Sequence, residues 1–295
     1  MEQKAIISKE QTFSETLADY ALLSKFRLSL LVVLSACLAF LAAPVETDFF
    51  RLFILVAGGF LTTASANGFN QVIEKDLDKL MNRTRQRPLP DGRMTARNAF
   101  WFSLLSGLTG TGLLCVFLNP LSALLGVSSV LLYTLVYTPM KKRSPVAVFI
   151  GAVPGAIPPL LGWVAATGSL GMGGWLLFSV QFLWQFPHFW AIAWVLDDDY
   201  KKAGFLMLPS GNRDRASAFQ TLIYTVSLLP LAFMPYVFGI SGAISVFAGV
   251  AATAFFIWQA GQLFLKCDMP SARKLMFGSF VYLPLVQTAI ALDKF

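Results

Sequence analysis

Residues 67–90, NGFNQVIEKDLDKLMNRTRQRPLP, hold the first side chains able to do chemistry. Asn70, Glu74 and Asp78 recur at every fourth position, so on a helix they stack on one face about a turn apart. Asp76 lies roughly opposite them. An amide and two carboxylates are hard oxygen donors, the kind Mg²⁺ prefers. Arg83, Arg85 and Arg87 follow, and guanidinium groups suit phosphate oxygens. Pro88 and Pro90 then predict the stop of the helix. Taken alone, the stretch reads equally well as a helix end at a membrane surface with solvated charges.

A second acid run shifts that balance. It lies in WQFPHFWAIAWVLDDDYKKAG, residues 184–204, where Asp198 and Asp199 predict a second Mg²⁺ site beside Tyr200, Lys201 and Lys202. His188 precedes Asp199 by eleven residues, close to three helical turns, so the two share a face if the helix continues. A third piece is YTPMKKR at 137–143, with Tyr137 and Lys141 one turn apart. By itself it is an aromatic belt with membrane-flanking lysines. Next to two metal sites, both residues become candidates for diphosphate oxygens. Two facing carboxylate sets could hold two Mg²⁺ ions bridged by a diphosphate. An allylic diphosphate ionises when metals and cations stabilise the leaving pyrophosphate. The carbocation then needs a dry cavity with aromatic faces.

The elements that must position these groups are membrane helices. Apolar residues make up 56% of the 295-residue chain and charged residues 13%, well below the roughly 25% of soluble domains. The charges are segregated, leaving stretches of about 20 residues nearly free of them. Nine spans are predicted, over 28–44, 52–73, 99–118, 121–138, 146–166, 174–195, 217–238, 243–264 and 275–292. Of the 23 Lys and Arg, 21 fall in alternate connections on one side. That side is expected to be cytoplasmic, with the N-terminus inside and the C-terminus outside. Both acid clusters lie on it. The net charge of +7 therefore reflects topology, with no nucleic-acid partner implied. The three cysteines are scattered without metal-ligand or disulfide spacing, and the single histidine excludes a histidine-rich metal centre.

The chain reads as all-α, a single integral-membrane domain over 1–295 with a cytoplasmic N-terminal segment over 1–27. Within that segment, TFSETLADYALLSKFR is expected to form a helix, either lying amphipathically on the membrane or packed on the bundle. Small residues crowd the second span and recur at Gly151 and Gly155, which reads as helix packing. Pro154, Pro158 and Pro159 should kink the fifth span and open space inside the bundle. Leu89-Pro90 and Leu208-Pro209 each follow an acid cluster, an echo that suggests two related halves plus an extra helix.

N-Q-x-x-E-x-x-x-D at 70–78 resembles the Asn-Asp-x-x-Asp-x-x-x-Asp motif of the UbiA superfamily of intramembrane prenyltransferases. Within that superfamily, five further stretches resemble its heme-farnesylating branch. They are M-x-R-T-x-x-R-P-L from Met81, Y-T-x-x-K-K-R from Tyr137, G-A-x-P-P-L-L-G-W at 155–163, W-Q-F-P-H-F-W at 184–190 and D-Y-K-K-A-G-F-x-M-L-P at 199–209. The resemblance runs from about Lys25 to the eighth span; the ninth matches only in kind. It implies a nine-helix bundle in a bacterial cytoplasmic membrane, with the active cavity toward the cytoplasm. It implies transfer of the farnesyl group of farnesyl diphosphate to a vinyl group of heme b, with addition of water. Mg²⁺ would be the cofactor and heme b a substrate, and a heme-modifying enzyme or terminal-oxidase pathway would take the product. Carried over, Asn70, Glu74 and Asp78 form one metal site and Asp198 and Asp199, with Lys202, the other. Arg83, Arg87, Tyr137 and Lys141 become diphosphate contacts, and Trp184 a substrate contact. Gln71 and Glu74 stand where the wider motif has acids, and Phe26 where a proline is expected. His188 reads either as a buried hydrogen-bonding residue or as a group at the heme, ligating iron, orienting the macrocycle or placing the water. Two other readings are an aromatic prenyltransferase of the quinone pathway and a cation-coupled transporter. The transporter would need ionisable residues in mid-span, whereas the acids sit at one rim.

Overall fold

The computed structural model describes residues 12–295, so the first eleven residues of the expected N-terminal segment lie outside it. The described chain is helical. The order is α1 (Phe13–Leu23), α2 (Phe26–Ala42), α3 (Phe49–Asp78), α4 (Ala96–Phe117), α5 (Pro120–Leu131), a π-helical turn (Leu132–Tyr137), α6 (Thr138–Met140), α7 (Ala147–Thr167), α8 (Met172–Lys202), α9 (Arg215–Val226), α10 (Leu228–Val237), α11 (Ala243–Lys266) and α12 (Met269–Leu292).

The nine predicted spans fall on these segments, the fourth running through α5, the π-helical turn and into α6, and the seventh over both α9 and α10. Seven are long and apolar enough to cross a membrane, and the pair α1 and α2, bent by 49°, forms an eighth candidate. The span on α8 is the exception in composition. At 31 residues it is roughly 46 Å long, ample for a bilayer. Its inward face, however, carries Gln181, Gln185 and His188, all buried. The polar groups that lower its hydropathy are the ones the bundle encloses.

Helix α1 begins at a capping box, with Thr12 and Glu15 satisfying each other's backbone N–H groups. It packs on the bundle through buried Asp19 and Leu23 while leaving Phe13 and Leu17 exposed. Arg93 ties Asp19 to the far connection between α3 and α4. Lys25 then turns the chain into α2 at φ +47°, ψ +54°. A left-handed non-glycine residue costs about 1–2 kcal/mol. Proline at 26 would further restrict residue 25 toward extended backbone; Phe26 lifts that restriction.

Small residues bring α3 and α4 together. A Cβ on Gly110 would lie 2.8 Å from the backbone of Gly58 and Thr62, so only glycine fits that crossing. The three prolines of α7 do not break it. They remove N–H groups, and two of the carbonyls they strand find side-chain partners. Pro158 leaves the Pro154 carbonyl to Ser129 Oγ (3.2 Å), and Pro159 leaves the Gly155 carbonyl to Gln181 Nε2 (2.6 Å). Gln181 also accepts from Ser35 and Gln287, which joins α2, α7, α8 and α12 in one buried polar knot.

The echo of Leu-Pro pairs is a shared turn. In 89–92 and in 208–211 the glycine N–H bonds back to the leucine carbonyl, with φ +82° at Gly92 and +83° at Gly211. Each turn is followed by an arginine, Arg93 or Arg213, that reaches back to an acid.

Candidate active site

Helix α3 ends at Asp78, ten residues before Pro88, so the arginines lie on a connection of turns and not on the helix. The cause is local. Thr84 Oγ1 donates to the Asp78 carbonyl at 2.8 Å and closes the helix end. The Arg83 backbone N–H then donates across the molecule to Asp199 Oδ2 at 3.1 Å.

Asn70, Glu74 and Asp78 share one buried face of α3, and each is met by a cation from elsewhere. Lys25 Nζ donates to Asn70 Oδ1 at 3.3 Å, and Asn70 Nδ2 donates to Thr138 Oγ1 at 3.1 Å. Lys141 Nζ lies 2.5 Å from Glu74 Oε1. Arg87 Nη1 donates to Asp78 Oδ2 at 2.8 Å. Lys141 also lies 5.1 Å from the ring centres of both Tyr137 and Phe205. Tyr137 is buried against Gly151, where a Cβ would come within 2.7 Å of its ring. The π-helical turn that carries Tyr133 and Tyr137 lies immediately before Pro139, which has no N–H to donate.

The second acid run divides. Successive helical residues point about 100° apart, so three consecutive acids cannot face one site. Asp199 faces the first cluster, accepting from Arg83 N–H and from Lys202 Nζ at 3.0 Å. Partial burial raises its pKa, but these hydrogen bonds, with one from the Asn82 backbone, outweigh that and hold the carboxyl below the ordinary value. Asp198 faces outward: its side chain is 79% exposed and forms a two-point pair with Arg213 at 3.1 and 3.2 Å. Asp197 is buried against Lys201 at 2.8 Å. The structure thus brings together Asn70, Glu74, Asp78, Asp199, Arg87, Tyr137 and Lys141. Lys202 is drawn in only through Asp199. Arg83 contributes its backbone here, and its guanidinium lies 5.7 Å from the Tyr200 ring centre. Asp198 is not part of the group.

Lys25 is the residue that sequence reasoning left among the topology charges. Its ammonium is half-buried at the rim that Arg87 and Lys141 also face. The K-x-R pattern ahead of the first span was the available signal; its partner Asn70 is 45 residues away.

The oxygen set fits a cation. Asp78 is fully buried, and its Oδ1 has no hydrogen-bond partner. Among the described residues no three Asp, Glu, His or Cys side chains converge tightly enough to hold a metal alone. Mg²⁺ is held by one or two carboxylates and completes its shell with water and substrate phosphate.

Inward from this rim lies a cavity of about 300 Å³ between α2, α3, α5, α7, α8 and α12. Tyr133 and Tyr137 line it near the rim, Trp184 and His188 deeper along α8, and no Lys, Arg, Asp or Glu lines it. Trp184 and His188 stack at 4.3 Å between ring centres and 18° between planes.

Comparison with known proteins agrees with this architecture. The sequence profile of the UbiA prenyltransferase family matches residues 29–283. A protoheme IX farnesyltransferase of Cytophaga hutchinsonii is 47% identical over 93% of this chain and 97% of that protein. One of Christiangramia forsetii is 43% identical over 95% of this chain and 94% of that protein. Among solved structures, a digeranylgeranylglyceryl phosphate synthase superposes with a TM-score of 0.79 at 21% identity, covering 95% of this chain and 98% of that one. A UbiA homologue from Archaeoglobus fulgidus bound to GPP and Mg²⁺ gives 0.67 at 16% identity, covering 92% and 99%.

Proposed function

The chain belongs to the UbiA prenyltransferase family, and from that premise we propose that it transfers the farnesyl group of farnesyl diphosphate to a vinyl group of heme b. The relatives named above carry that activity in their names over nearly the whole chain. The structural observation that best supports this acceptor is the cavity interior. It holds an imidazole stacked on an indole, and no Lys or Arg lines it. A flat porphyrin is accommodated by aromatic faces and tolerates an imidazole. A benzoic acid would place its carboxylate beside its ring in that interior with nothing to pair it, whereas the propionates lie on one edge of a porphyrin and can face the cations of the rim.

In this reading Asn70, Glu74, Asp78 and Asp199 hold Mg²⁺ with the diphosphate. The ion's contribution when bound is to neutralise charge on the departing pyrophosphate. Arg87, Lys141 and Lys25 exchange their carboxylate and amide partners for phosphate oxygens. The vinyl carbon bonds to farnesyl C1 as the C1–O bond breaks. Tyr133 and Tyr137 present ring faces to the developing cation. The cation left beside the porphyrin takes up water and releases a proton, so heme gains one farnesyl and one hydroxyl. A heme-modifying enzyme or terminal oxidase would take that product, which co-purification with the wild-type protein tests.

The test of function is to incubate purified protein with Mg²⁺, farnesyl diphosphate and either reduced heme b or 4-hydroxybenzoate, and to weigh the products. Heme heavier by one farnesyl and one hydroxyl is expected, with the benzoate unchanged. Prenylated benzoate and unreacted heme would overturn the reading. The 21-to-2 charge split further supports an inner-membrane orientation with the catalytic rim in the cytoplasm. Reporter fusions near 85 should then read internal and near 170 external.

A further inference from the structure

His188 is held by four contacts that together fix more than its position. Its ring stacks on Trp184, and Phe189 and Phe280 approach with ring centres at 5.3 and 5.2 Å. Its Nδ1 lies 2.8 Å from Ser279 Oγ on α12. Ser279 is fully buried, and its hydroxyl donates to the Met276 carbonyl at 2.6 Å. A hydroxyl has one proton. With that proton committed to Met276, Ser279 Oγ can only accept from His188. In that arrangement Nδ1 carries the imidazole proton and Nε2 the lone pair. Ser279 is also anchored by its own carbonyl, which accepts from Trp184 Nε1 at 3.0 Å, so one residue of α12 orients both rings of the stack.

Nε2 has no partner among the described residues, and His188 lines the cavity. Its place along α8 is about 16 Å inward of Asp199, deeper than the diphosphate rim. A neutral histidine whose Nδ1–H is held by an oxygen and whose Nε2 is free has the arrangement of a metal-ligating imidazole with its orienting partner.

We propose that Ser279 is a positioning residue that locks His188 in the Nδ1–H tautomer so that Nε2 ligates the iron of the porphyrin substrate. The proposal rests on heme being the acceptor. It makes α12, the helix with the least specific sequence signal, the element that sets the orientation of the acceptor. Ligation would fix the distance from the ring centre to the wall of α8, and so decide how far the vinyl edge reaches toward farnesyl C1.

The test uses the full chain in detergent or nanodiscs with ferric heme b as probe, in wild type, Ser279→Ala, Ser279→Thr and His188→Ala. Electron paramagnetic resonance and Soret spectra report axial imidazole, and farnesyl diphosphate binding serves as the control for folding. Wild type and Ser279→Thr should show imidazole-ligated heme. His188→Ala should bind heme without that signature. Ser279→Ala should show mixed or lost ligation, and a farnesylation kcat lower by about 10- to 100-fold, with farnesyl diphosphate binding unchanged. An unaltered signature in Ser279→Ala would overturn the positioning role. Farnesylated heme from a wild type that lacks any imidazole signature would overturn ligation and leave the function standing. The same holds if His188→Ala yields farnesylated heme missing the water, which would make Nε2 a base. A wild type that neither binds nor farnesylates heme would overturn both readings.

Discussion

The two acid clusters differ in who neutralises them. In the first, Asn70, Glu74 and Asp78 are buried; Lys25 and Lys141 reach Asn70 and Glu74 from other segments of the chain, and Arg87 reaches Asp78 from the connection that follows α3. In the second, Asp197 and Asp199 pair with Lys201 and Lys202, four and three residues along the same helix, and Asp198 pairs with Arg213 in the connection that follows. The first cluster is a place where the fold gathers charge from a distance and shields it from water. The second is mostly a helix end tied to its own loop, with one member, Asp199, turned across to the first. Distant partners around buried acids mark a site that a substrate can enter by replacing them. Local partners, around exposed Asp198 as around buried Asp197, mark a terminus.

That contrast ranks the substitutions. Asp78→Asn should have the largest effect. It keeps the shape of a fully buried side chain and its contact with Arg87, yet removes the charge from an oxygen with no protein partner. Farnesylation should fall by on the order of 1000-fold and extra Mg²⁺ should restore little of it. Turnover near wild type at low Mg²⁺ would remove Asp78 from the metal set. Asp199→Ala comes next, with a loss on the order of 100-fold and a raised Mg²⁺ requirement, because the variant leaves the α3 donors in place. If its Mg²⁺ dependence matched wild type, Asp199 would be only a tether for the Arg83 backbone.

Lys25→Met should cost about tenfold, seen chiefly as weaker farnesyl diphosphate binding, measured by calorimetry with heme absent. Unchanged affinity would reduce Lys25 to a structural partner of Asn70. Its place at the site also shows where sequence reading stops. The α3 motif was legible because helical periodicity puts i, i+4 and i+8 on one face, and the nine spans were legible from segregated charge. The inward set of Tyr137 and Lys141 followed from the same rule. Lys25 was not legible, because its role depends on a left-handed turn between α1 and α2 that sequence pattern does not specify. Nor was Ser279, which meets His188 only after α12 packs on α8. Pro88 predicts a later stop than Asp78 because the Thr84 hydroxyl that closes the helix on the Asp78 carbonyl belongs to no capping pattern readable in the sequence. Gln181, by contrast, answers a need set by α7: Pro159 strands the Gly155 carbonyl, which requires a donor.

Asp198→Ala should have the smallest effect, and it separates the two clusters most directly. Motif logic places Asp198 beside Asp199 as a metal ligand. Helical geometry turns it about 100° away, where its carboxylate meets Arg213 with 79% of the side chain in solvent. An exposed ion pair is worth about 1 kcal/mol or less, so unfolding stability should barely move. Arg213 also keeps its donation to the Trp194 carbonyl at 2.7 Å and its proximity to Asp197, so the connection stays anchored without Asp198. Turnover should stay within about fivefold of wild type, the factor that such a pair is worth, and the Mg²⁺ dependence should not shift. Measuring kcat against Mg²⁺ for Asp198→Ala and Asp199→Ala side by side gives the decisive comparison. A shared rise in Mg²⁺ requirement would mean that the end of α8 rotates when diphosphate binds and brings both acids inward. A rise confined to Asp199→Ala would leave Asp198 as part of the helix terminus alone.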